Sequence, residues 1–265
     1  MAAIAAVRSH PVSRSFSYWW MRHRSNWLRS LLASVAAPTV YLVVMGQVLG
    51  TQIDGGGPSP ALGGLRYVEF VAPAMVAASA MLLAVTETTF PVFSAFRSER
   101  TYAAQFATPL RPVDILGGHL LWAGARVAGV AALLAVVVAA MGAARPVSLP
   151  AIVAVALLTG LAFSTCTAAF AARQRHDGAL LAVQRFVTTP MLLFGGVFFP
   201  LSQLPVPLQA VAAATPLWHG VAWSRELAAG QAGLWSSVVH GGYLVAVSLA
   251  GFALARRAYE RELVT

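Results

Sequence analysis

"FGGVFFPLSQLP", residues 194–205, joins the apolar side chains of a membrane span to residues that end helices. Gly195 and Gly196 remove side chains, and Pro200 and Pro205 then remove backbone donors. The following stretch, "LPVPLQAVAAATPLWHGV" (204–221), is apolar but too short between its prolines to cross a membrane again. We predict re-entrant or interfacial half-helices here, because freed backbone groups must face protein or water. The alternative is a kinked helix followed by a loose external loop.

The composition of the whole chain is that of a polytopic membrane protein. Of 265 residues, 58% are hydrophobic and 10% charged, and the mean hydropathy is +0.71. A helix needs about 20 residues to cross the hydrocarbon. We therefore predict one all-α domain, residues 1–265, with an external re-entrant region at 201–235 before the last span. Its six predicted transmembrane helices are 31–49, 70–90, 113–141, 150–171, 180–200 and 238–255.

The basic residues indicate the orientation of these spans. All 18 are arginine. Fourteen lie on one predicted face, in the N-terminal tail, two loops and the C-terminal end; three lie on the other face, and Arg126 lies within a span. Because arginine is enriched in short cytoplasmic loops, we predict a multi-pass protein of the bacterial plasma membrane with both termini cytoplasmic. The net charge of +9 is divided among four short segments, which favours anionic lipid headgroups and not a nucleic-acid partner.

Several kinds of chemistry are excluded by residue type. The chain has no lysine, so it cannot form a P-loop or a Schiff base in the usual way. Its single cysteine, Cys166, permits no intramolecular disulfide, and we interpret it as a small core residue. The six histidines lack metal-binding spacings, so we expect no metal site. We expect a non-enzymatic chain with no cofactor of its own.

The N-terminal tail, "SRSFSYWWMRHRSNWLRS" (13–30), mixes tryptophans with arginines. This mixture suits the headgroup layer, where rings bury their faces and guanidinium groups reach phosphate. One interpretation is an anchor that fixes orientation. The other is an amphipathic helix within residues 1–30 that lies in the interface and docks a cytoplasmic partner. Its key residues would be Trp19, Trp20, Arg22, Arg24 and Trp27.

The connection between the second and third predicted spans is the most informative loop. Glu87 stands near the end of a span, where its carboxylate must be solvated or paired, for example by a nearby arginine. The stretch "FRSERTYAAQFATPL" (96–110) then has the polar and aromatic mixture of a short surface helix, which Pro109 and Pro112 stop. The alternative is a plain solvated turn. Because the loop (91–112) is longer than a tight connection requires, we expect something cytoplasmic to pack there.

Two motifs carry a resemblance to a known family. "ERTYAAQFATPLRPVDILGGHLLWAGAR" (99–126) and "FGGVFFPLSQLPVPLQAVAAATPLWHGV" (194–221) resemble the membrane subunit of type-2 ABC exporters. The most similar branch contains the permeases of nodulation-factor lipooligosaccharide exporters, and daunorubicin-type drug exporter permeases are more distant. The resemblance implies six spans and a pair of permeases, either a homodimer or a pair with a paralogous permease. It also implies two copies of a separate ATPase subunit, which bind the ATP and Mg.

The same resemblance implies site residues. The loop at 91–112 would hold the coupling helix that contacts the ATPase, with Arg97, Ser98, Glu99, Arg100, Thr101 and Tyr102. The transport path and dimer packing would involve Glu87, Gly195, Gly196, Phe198, Phe199 and Pro200. Around the fifth helix we expect Val197 to point toward lipid and Phe198 to lie nearer the substrate.

The expected function is the permease subunit of an ATP-driven exporter that moves a lipid-linked saccharide, glycolipid or other amphipathic molecule. The alternative within the same family is efflux of a hydrophobic drug. An ion-coupled transporter would usually show buried carboxylates and an internal repeat. A membrane enzyme acting on lipid would need a convergent acid, base or nucleophile at one depth, and the sequence shows no such group.

Overall fold

The computed structural model describes residues 10–53 and 57–264. The first nine residues of the predicted interfacial segment lie outside this part. Within it the chain is helical, and its β-type pairing is limited to a bridge between Ser59 and Leu65. The helices are α1 (Pro11–His23), α2 (Trp27–Val43, continued by a π turn Val44–Leu49 and Gly50–Ile53), α3 (Tyr67–Thr88), α4 (Phe90–Arg97), α5 (Thr101–Phe106), α6 (Pro112–Ala140), α7 (Leu149–Arg173), α8 (Gly178–Phe194, with a π turn Gln184–Thr188), α9 (Val206–Ala213), α10 (Pro216–Ala229) and α11 (Leu234–Val264).

Five of these helical stretches are long and apolar enough to cross a membrane: Trp27–Gly46, Tyr67–Arg97, Pro112–Ala140, Pro146–Arg173 and Leu234–Val264. They match five of the six predicted spans. The other prediction falls on α8, an apolar helix of 17 residues that ends at Phe194. Its crossing stays a prediction, as does the position of α1, α9 and α10 relative to a membrane.

The second span forms the centre of the fold. In the most apolar stretch of Tyr67–Arg97, 83% of the residues are buried; in that of Trp27–Gly46, 6% are buried. Five fully buried alanines let neighbouring helices approach α3 closely, and α6, α7 and α10 pack around it. These alanines are Ala72, Ala74, Ala77, Ala78 and Ala84. The first span, by contrast, lies at the edge of the bundle.

The glycine pair ends α8 with a sharp turn. Gly196 has φ +78°, a left-handed conformation that favours glycine. A side chain on Gly195 would lie 2.5 Å from the Met191 carbonyl oxygen of α8 and 2.8 Å from Leu217 Cδ2, so this glycine permits both the tight end of α8 and the close approach of α10 of the same chain. A side chain on Gly196 would lie 2.6 Å from Leu201 Cδ1. This close contact lies within one chain, and the part of the glycine pair in dimer packing stays a prediction.

Arg225 of α10 holds this turn in place. Its Nε donates to the Phe70 carbonyl of α3 at 2.7 Å, and its Nη2 donates to the carbonyl oxygens of Val197 (3.0 Å) and Gly196. The guanidinium carbon also lies 3.6 Å from the centre of the Phe70 ring. One cation thus joins the second span, the glycine turn and the helix that follows.

Two sequence expectations are wrong. Val197 is fully buried and does not point toward lipid, because the chain leaves the helix at Gly195 and the helical direction no longer applies. Cys166 is exposed on α7 and is not a core residue.

Sequence spacing also missed a polar cluster between α10 and α11. His219 Nδ1 lies 2.9 Å from His240 Nδ1, and the other nitrogen of His240 lies 3.8 Å from Glu226. In the contact between His219 and His240, one ring nitrogen donates the hydrogen bond and the other accepts it. No group of three metal-ligating side chains with suitable geometry occurs in the part of the chain that the structure describes.

We expect the glycine turn to be sensitive to single methyl groups. Gly195→Ala and Gly196→Ala should each lower the free energy of unfolding by about 1–3 kcal/mol, through overpacking at Gly195 and through backbone strain and overpacking at Gly196. Gly242→Ala is the matched control, since a Cβ there has nothing within 4 Å. Thermal unfolding of the purified chain in detergent measures the difference. Equal stability of Gly195→Ala and the control would show that the close approach is unimportant.

Candidate coupling site

Helix α1 packs on the first half of α6, at the end of the bundle where the last turns of α11 also lie. Gly118 permits this contact, since a Cβ there would lie 2.7 Å from the backbone nitrogen of Phe16. Ser15 is buried at the same point, and its hydroxyl lies 2.9 Å from Gln105 Oε1 and 3.3 Å from the Ile115 carbonyl. Helix α1 is thus fixed both to the third span and to α5.

A two-bond ion pair ties α1 to the loop at 91–112. Arg22 Nη2 donates to Glu99 Oε1 at 2.7 Å, and Arg22 Nη1 donates to the other carboxylate oxygen. Arg22 also donates to the Tyr18 hydroxyl at 3.1 Å, and the Thr101 hydroxyl donates to Glu99 at 3.3 Å. The Arg22 hydrogen bonds lower the pKa of Glu99 to about 2, so this carboxylate stays charged at neutral pH. Both side chains are exposed, so the pair contributes more to position than to stability.

The predicted coupling residues divide into outward and inward groups. Ser98, Glu99 and Arg100 are exposed. Arg100 has φ +50°, the one positive φ of a non-glycine residue in the described ranges, and it immediately precedes α5. Arg97 turns inward, donates from Nε to the Gln174 carbonyl at 2.9 Å and pairs with Glu262 of α11 at 2.9 Å.

A proline creates the polar centre of this site. In a helix the Glu87 carbonyl would accept from the backbone nitrogen four residues later, but that residue is Pro91, which has no N–H. His119 Nε2 of α6 lies 2.9 Å from this carbonyl oxygen and donates to it. A neutral ring with its proton on Nε2 must then accept at Nδ1.

Two tyrosines complete a chain of hydrogen bonds. The Tyr102 hydroxyl contacts His119 Nδ1, so Tyr102 donates there, and Tyr259 of α11 donates to the Tyr102 oxygen at 3.2 Å. All three side chains have 0% exposure. Burial raises the pKa of Tyr102 well above its usual value, so its phenol stays neutral. We call this chain, from Tyr259 through Tyr102 and His119 to the Glu87 carbonyl, the tyrosine–histidine network.

The Glu87 side chain extends the polar centre in another direction. Arg126 Nη1 donates to Glu87 Oε1 at 2.6 Å, and Trp122 Nε1 donates to Oε2 at 3.1 Å. Arg126 Nη2 donates to the Ser30 hydroxyl of α2 at 2.7 Å. The predicted arginine partner of Glu87 is therefore Arg126, from inside the third span. Backbone and side chain of Glu87 together connect α2, α3 and α6.

Comparison with known proteins identifies the chain. The family model described as "ABC-2 type transporter" matches residues 14–228. The chain belongs to the ABC-2 transporter family. It is 35% identical to Nodulation protein J of Rhizobium leguminosarum bv. trifolii over 80% of each chain. It is 32% identical to Nodulation protein J of Rhizobium leguminosarum bv. viciae over 90% of this chain and 92% of that protein. It is 23% identical to the inner membrane transport permease YadH of Escherichia coli over 74% and 70%. The resemblance to type-2 ABC permeases is confirmed.

The other predicted residues of this ABC-2 permease lie in three places. Trp19 is buried against His119, with ring centres 4.1 Å apart. Trp20, Trp27 and Arg24 are exposed. At the opposite end of the first span, Phe198 packs on Tyr41, with ring centres 5.3 Å apart. Phe199 and Pro200 follow as half-buried residues of the turn.

Sequence reasoning missed four residues of this site: Ser15, Gly118, His119 as a link, and Tyr259. The signal that could have found the role of His119 is Pro91, which leaves the Glu87 carbonyl without a helical partner. No sequence signal placed Tyr259, since it approaches from 157 residues away.

The tyrosine–histidine network predicts an order of effects. Tyr102→Phe should lower the free energy of unfolding by about 1–3 kcal/mol, because the buried Nδ1 of His119 loses its donor. Tyr259→Phe should lower it by roughly 0.5–1.5 kcal/mol, because the Tyr102 oxygen loses only the hydrogen bond that it accepts from Tyr259. The control Tyr18→Phe, at a hydroxyl that water can reach, should stay within about 0.5 kcal/mol of the wild type. Unfolding of the purified chain in detergent measures all three. A larger loss for Tyr259→Phe than for Tyr102→Phe would contradict the proposed donor directions.

The Glu87–Arg126 pair predicts strong coupling in a double-mutant cycle. Glu87→Leu or Arg126→Met alone should lower the free energy of unfolding by about 3–5 kcal/mol, because one buried charge remains without a partner. The double variant removes both charges, so it should be more stable than at least one single variant. Additive losses in the same unfolding assay would show that the two side chains act independently.

Proposed function

We propose that this ABC-2 permease is the membrane subunit of an ATP-driven exporter. Two copies of a separate ATPase subunit would supply ATP, Mg and hydrolysis, and a second permease, identical or paralogous, would complete the membrane domain. The family membership supports this assembly. The observation that carries the proposal is that the loop at 91–112 combines an exposed tip with a fully buried connection to three long helices.

The geometry supports a mechanism for energy coupling. An ATPase docked on Ser98, Glu99 and Arg100 would move α5. The Tyr102 side chain lies on the inner side of α5 and hydrogen-bonds to both α6 and α11. His119 of α6 in turn hydrogen-bonds to the Glu87 carbonyl at the end of α3. Because packed interiors are bistable and do not deform continuously, a shift of α5 must be accommodated by these helices together. Tyr102 itself is buried, so its part is to transmit and not to touch the ATPase.

The arginine distribution supports a cytoplasmic position for this site. Arg22, Arg97 and Arg100 lie at the end of the bundle that holds α1 and the last turns of α11. The enrichment of arginine in short cytoplasmic loops then supports an orientation in a bacterial inner membrane with both termini in the cytoplasm. In that orientation α9, α10 and the glycine turn form the external side, where re-entrant helices would cap the path.

The substrate we propose is amphipathic, with a lipid-linked saccharide or glycolipid as the favoured class. Two observations support it: similarity to proteins named Nodulation protein J, and a set of spans with few charged side chains in their interior. A small hydrophilic solute would require a polar path through the bilayer.

A charge reversal at the exposed tip tests the coupling mechanism. Arg100→Glu should reduce both export and recovery of an ATPase subunit with the purified permease several-fold, at equal expression, because the docking surface changes sign. Arg175→Glu is the matched control, since it reverses an exposed arginine of the next loop at the same end. It should leave export near the wild-type level.

Two outcomes would contradict the proposal. Recovery of the chain without any ATPase from its native membrane would refute the exporter assembly. Full export by Arg100→Glu would refute the proposed docking surface but not the exporter assembly. Mass spectrometry of ligands retained by the wild-type complex then distinguishes a glycolipid from a hydrophobic drug.

A further inference from the structure

A cavity of about 330 Å³ lies between α1, the start of α2 and the middle of α6. Its volume is at the lower end of the range for ligand pockets. Its described lining comes from residues 16–31 and 122–129, is mostly apolar, and includes Trp20, Trp27, Leu31, Trp122, Ala125 and Arg126.

The cavity lies at the level where the first span begins. That span starts at Trp27, and the Ser30 hydroxyl bonds to Arg126 of α6 at 2.7 Å. Arg126 is therefore level with the first turn of the span, where hydrocarbon meets headgroups. Trp20 and Trp27 line the cavity at 43% and 47% exposure, as is typical of tryptophan at this boundary.

The cavity lies beside an exposed apolar face of the bundle. The first span has 6% of its apolar stretch buried, and Leu28 and Leu32 beside the cavity are 51% and 54% exposed. Apolar side chains exposed on a spanning helix adjoin acyl chains, so the cavity is continuous with the layer that contains them.

The lining selects for an apolar guest. The two terminal nitrogens of Arg126 already donate hydrogen bonds, one to Glu87 and one to Ser30, so the positive charge of Arg126 is paired with the carboxylate of Glu87. The rings of Trp20 and Trp122 contact each other, with centres 6.4 Å apart, and His23 stacks on Trp122 at 4.9 Å. These rings form part of the apolar wall of the cavity.

We propose that this cavity binds one acyl chain of a membrane phospholipid, with the headgroup remaining at the interface outside. A methylene group is close to water in size, and water occupies about 30 Å³ in the liquid, so the cavity holds about ten such groups. The bound chain fills the space that separates α2 from α6 and so joins the first span to α1. The inference requires only that α2 spans a bilayer, and it is independent of the ATPase and of the exported substrate.

Photocrosslinking of the full chain in lipid nanodiscs tests the site. The probe is a phosphatidylethanolamine that carries a diazirine near the end of one acyl chain, mixed into phosphatidylethanolamine and phosphatidylglycerol. After irradiation and digestion, adducts on residues 16–31 and 122–129 should exceed those on the exposed Leu133 and Val136 of α6 several-fold.

Two exposed alanines of α6 provide a matched pair of variants. Ala125→Phe fills the cavity and should reduce these adducts several-fold. Ala132→Phe lies two turns further along the same helix, outside the lining, and should leave them unchanged. Leu31→Trp fills the cavity from the α2 side and should repeat the loss, which protects the test if Ala125→Phe misfolds.

Four outcomes would overturn the proposal. Adduct yields in the cavity that equal those at Leu133 would mean ordinary lipid contact, and absence of adducts would mean that a protein segment covers it. Loss of adducts in Ala132→Phe as well would remove the link to the cavity. Labelling by a phosphatidylcholine probe alone would mean that an ammonium headgroup is recognised and not the chain; equal labelling by probes with ethanolamine, glycerol and choline headgroups supports recognition of the chain.

Discussion

The Glu87 carbonyl is the constraint on which the fold of this ABC-2 permease depends. Pro91 removes its helical donor, so the second span cannot continue unbroken into α4, and the oxygen needs another partner in a buried place. His119 supplies that partner and thereby fixes its own proton on Nε2. The orientation of Tyr102 and then of Tyr259 follows from this one choice. A single missing N–H thus determines how α5, α6 and α11 meet.

Glu87 also explains why the coupling site and the first span are linked. Its backbone faces the tyrosine–histidine network and its side chain faces Arg126, which reaches Ser30 of α2. Buried polar groups are costly when only partly satisfied, so these bonds favour complete arrangements over partial ones. Such a centre is suited to motion between two packed states, which is what an ATP-driven exporter would require of the helices around its coupling loop. The exposed Arg22–Glu99 pair has a different part, since it positions α1 and adds little stability.

Apolar run lengths were enough to predict five spans, and the glycine and proline signals located the turn after α8. Val197 was misplaced because a helical wheel was applied beyond Gly195, where the helix has already ended. Tyr102 was expected at a wet surface because α5, with six residues, is too short to show an apolar face in its sequence. Glu87 was expected to need an arginine, but only packing could choose Arg126. Contacts such as that of Tyr259 depend on pairing of distant helices, and one sequence holds no signal for them.

Hydrophobic mismatch adds a consequence for the two longest helical stretches. Leu234–Val264 contains 31 residues in one helix, which corresponds to a length of about 46 Å. A bilayer core of about 30 Å leaves roughly 16 Å of this helix outside the hydrocarbon, and Tyr67–Arg97 also has 31 residues, although its helix breaks after Thr88. Tyr102 and the Arg97–Glu262 pair hold both helices at the same end, so they cannot slide past each other to absorb a change in bilayer thickness. A thinner or thicker membrane must therefore be accommodated by tilt of both helices together or by the short helices at the opposite face.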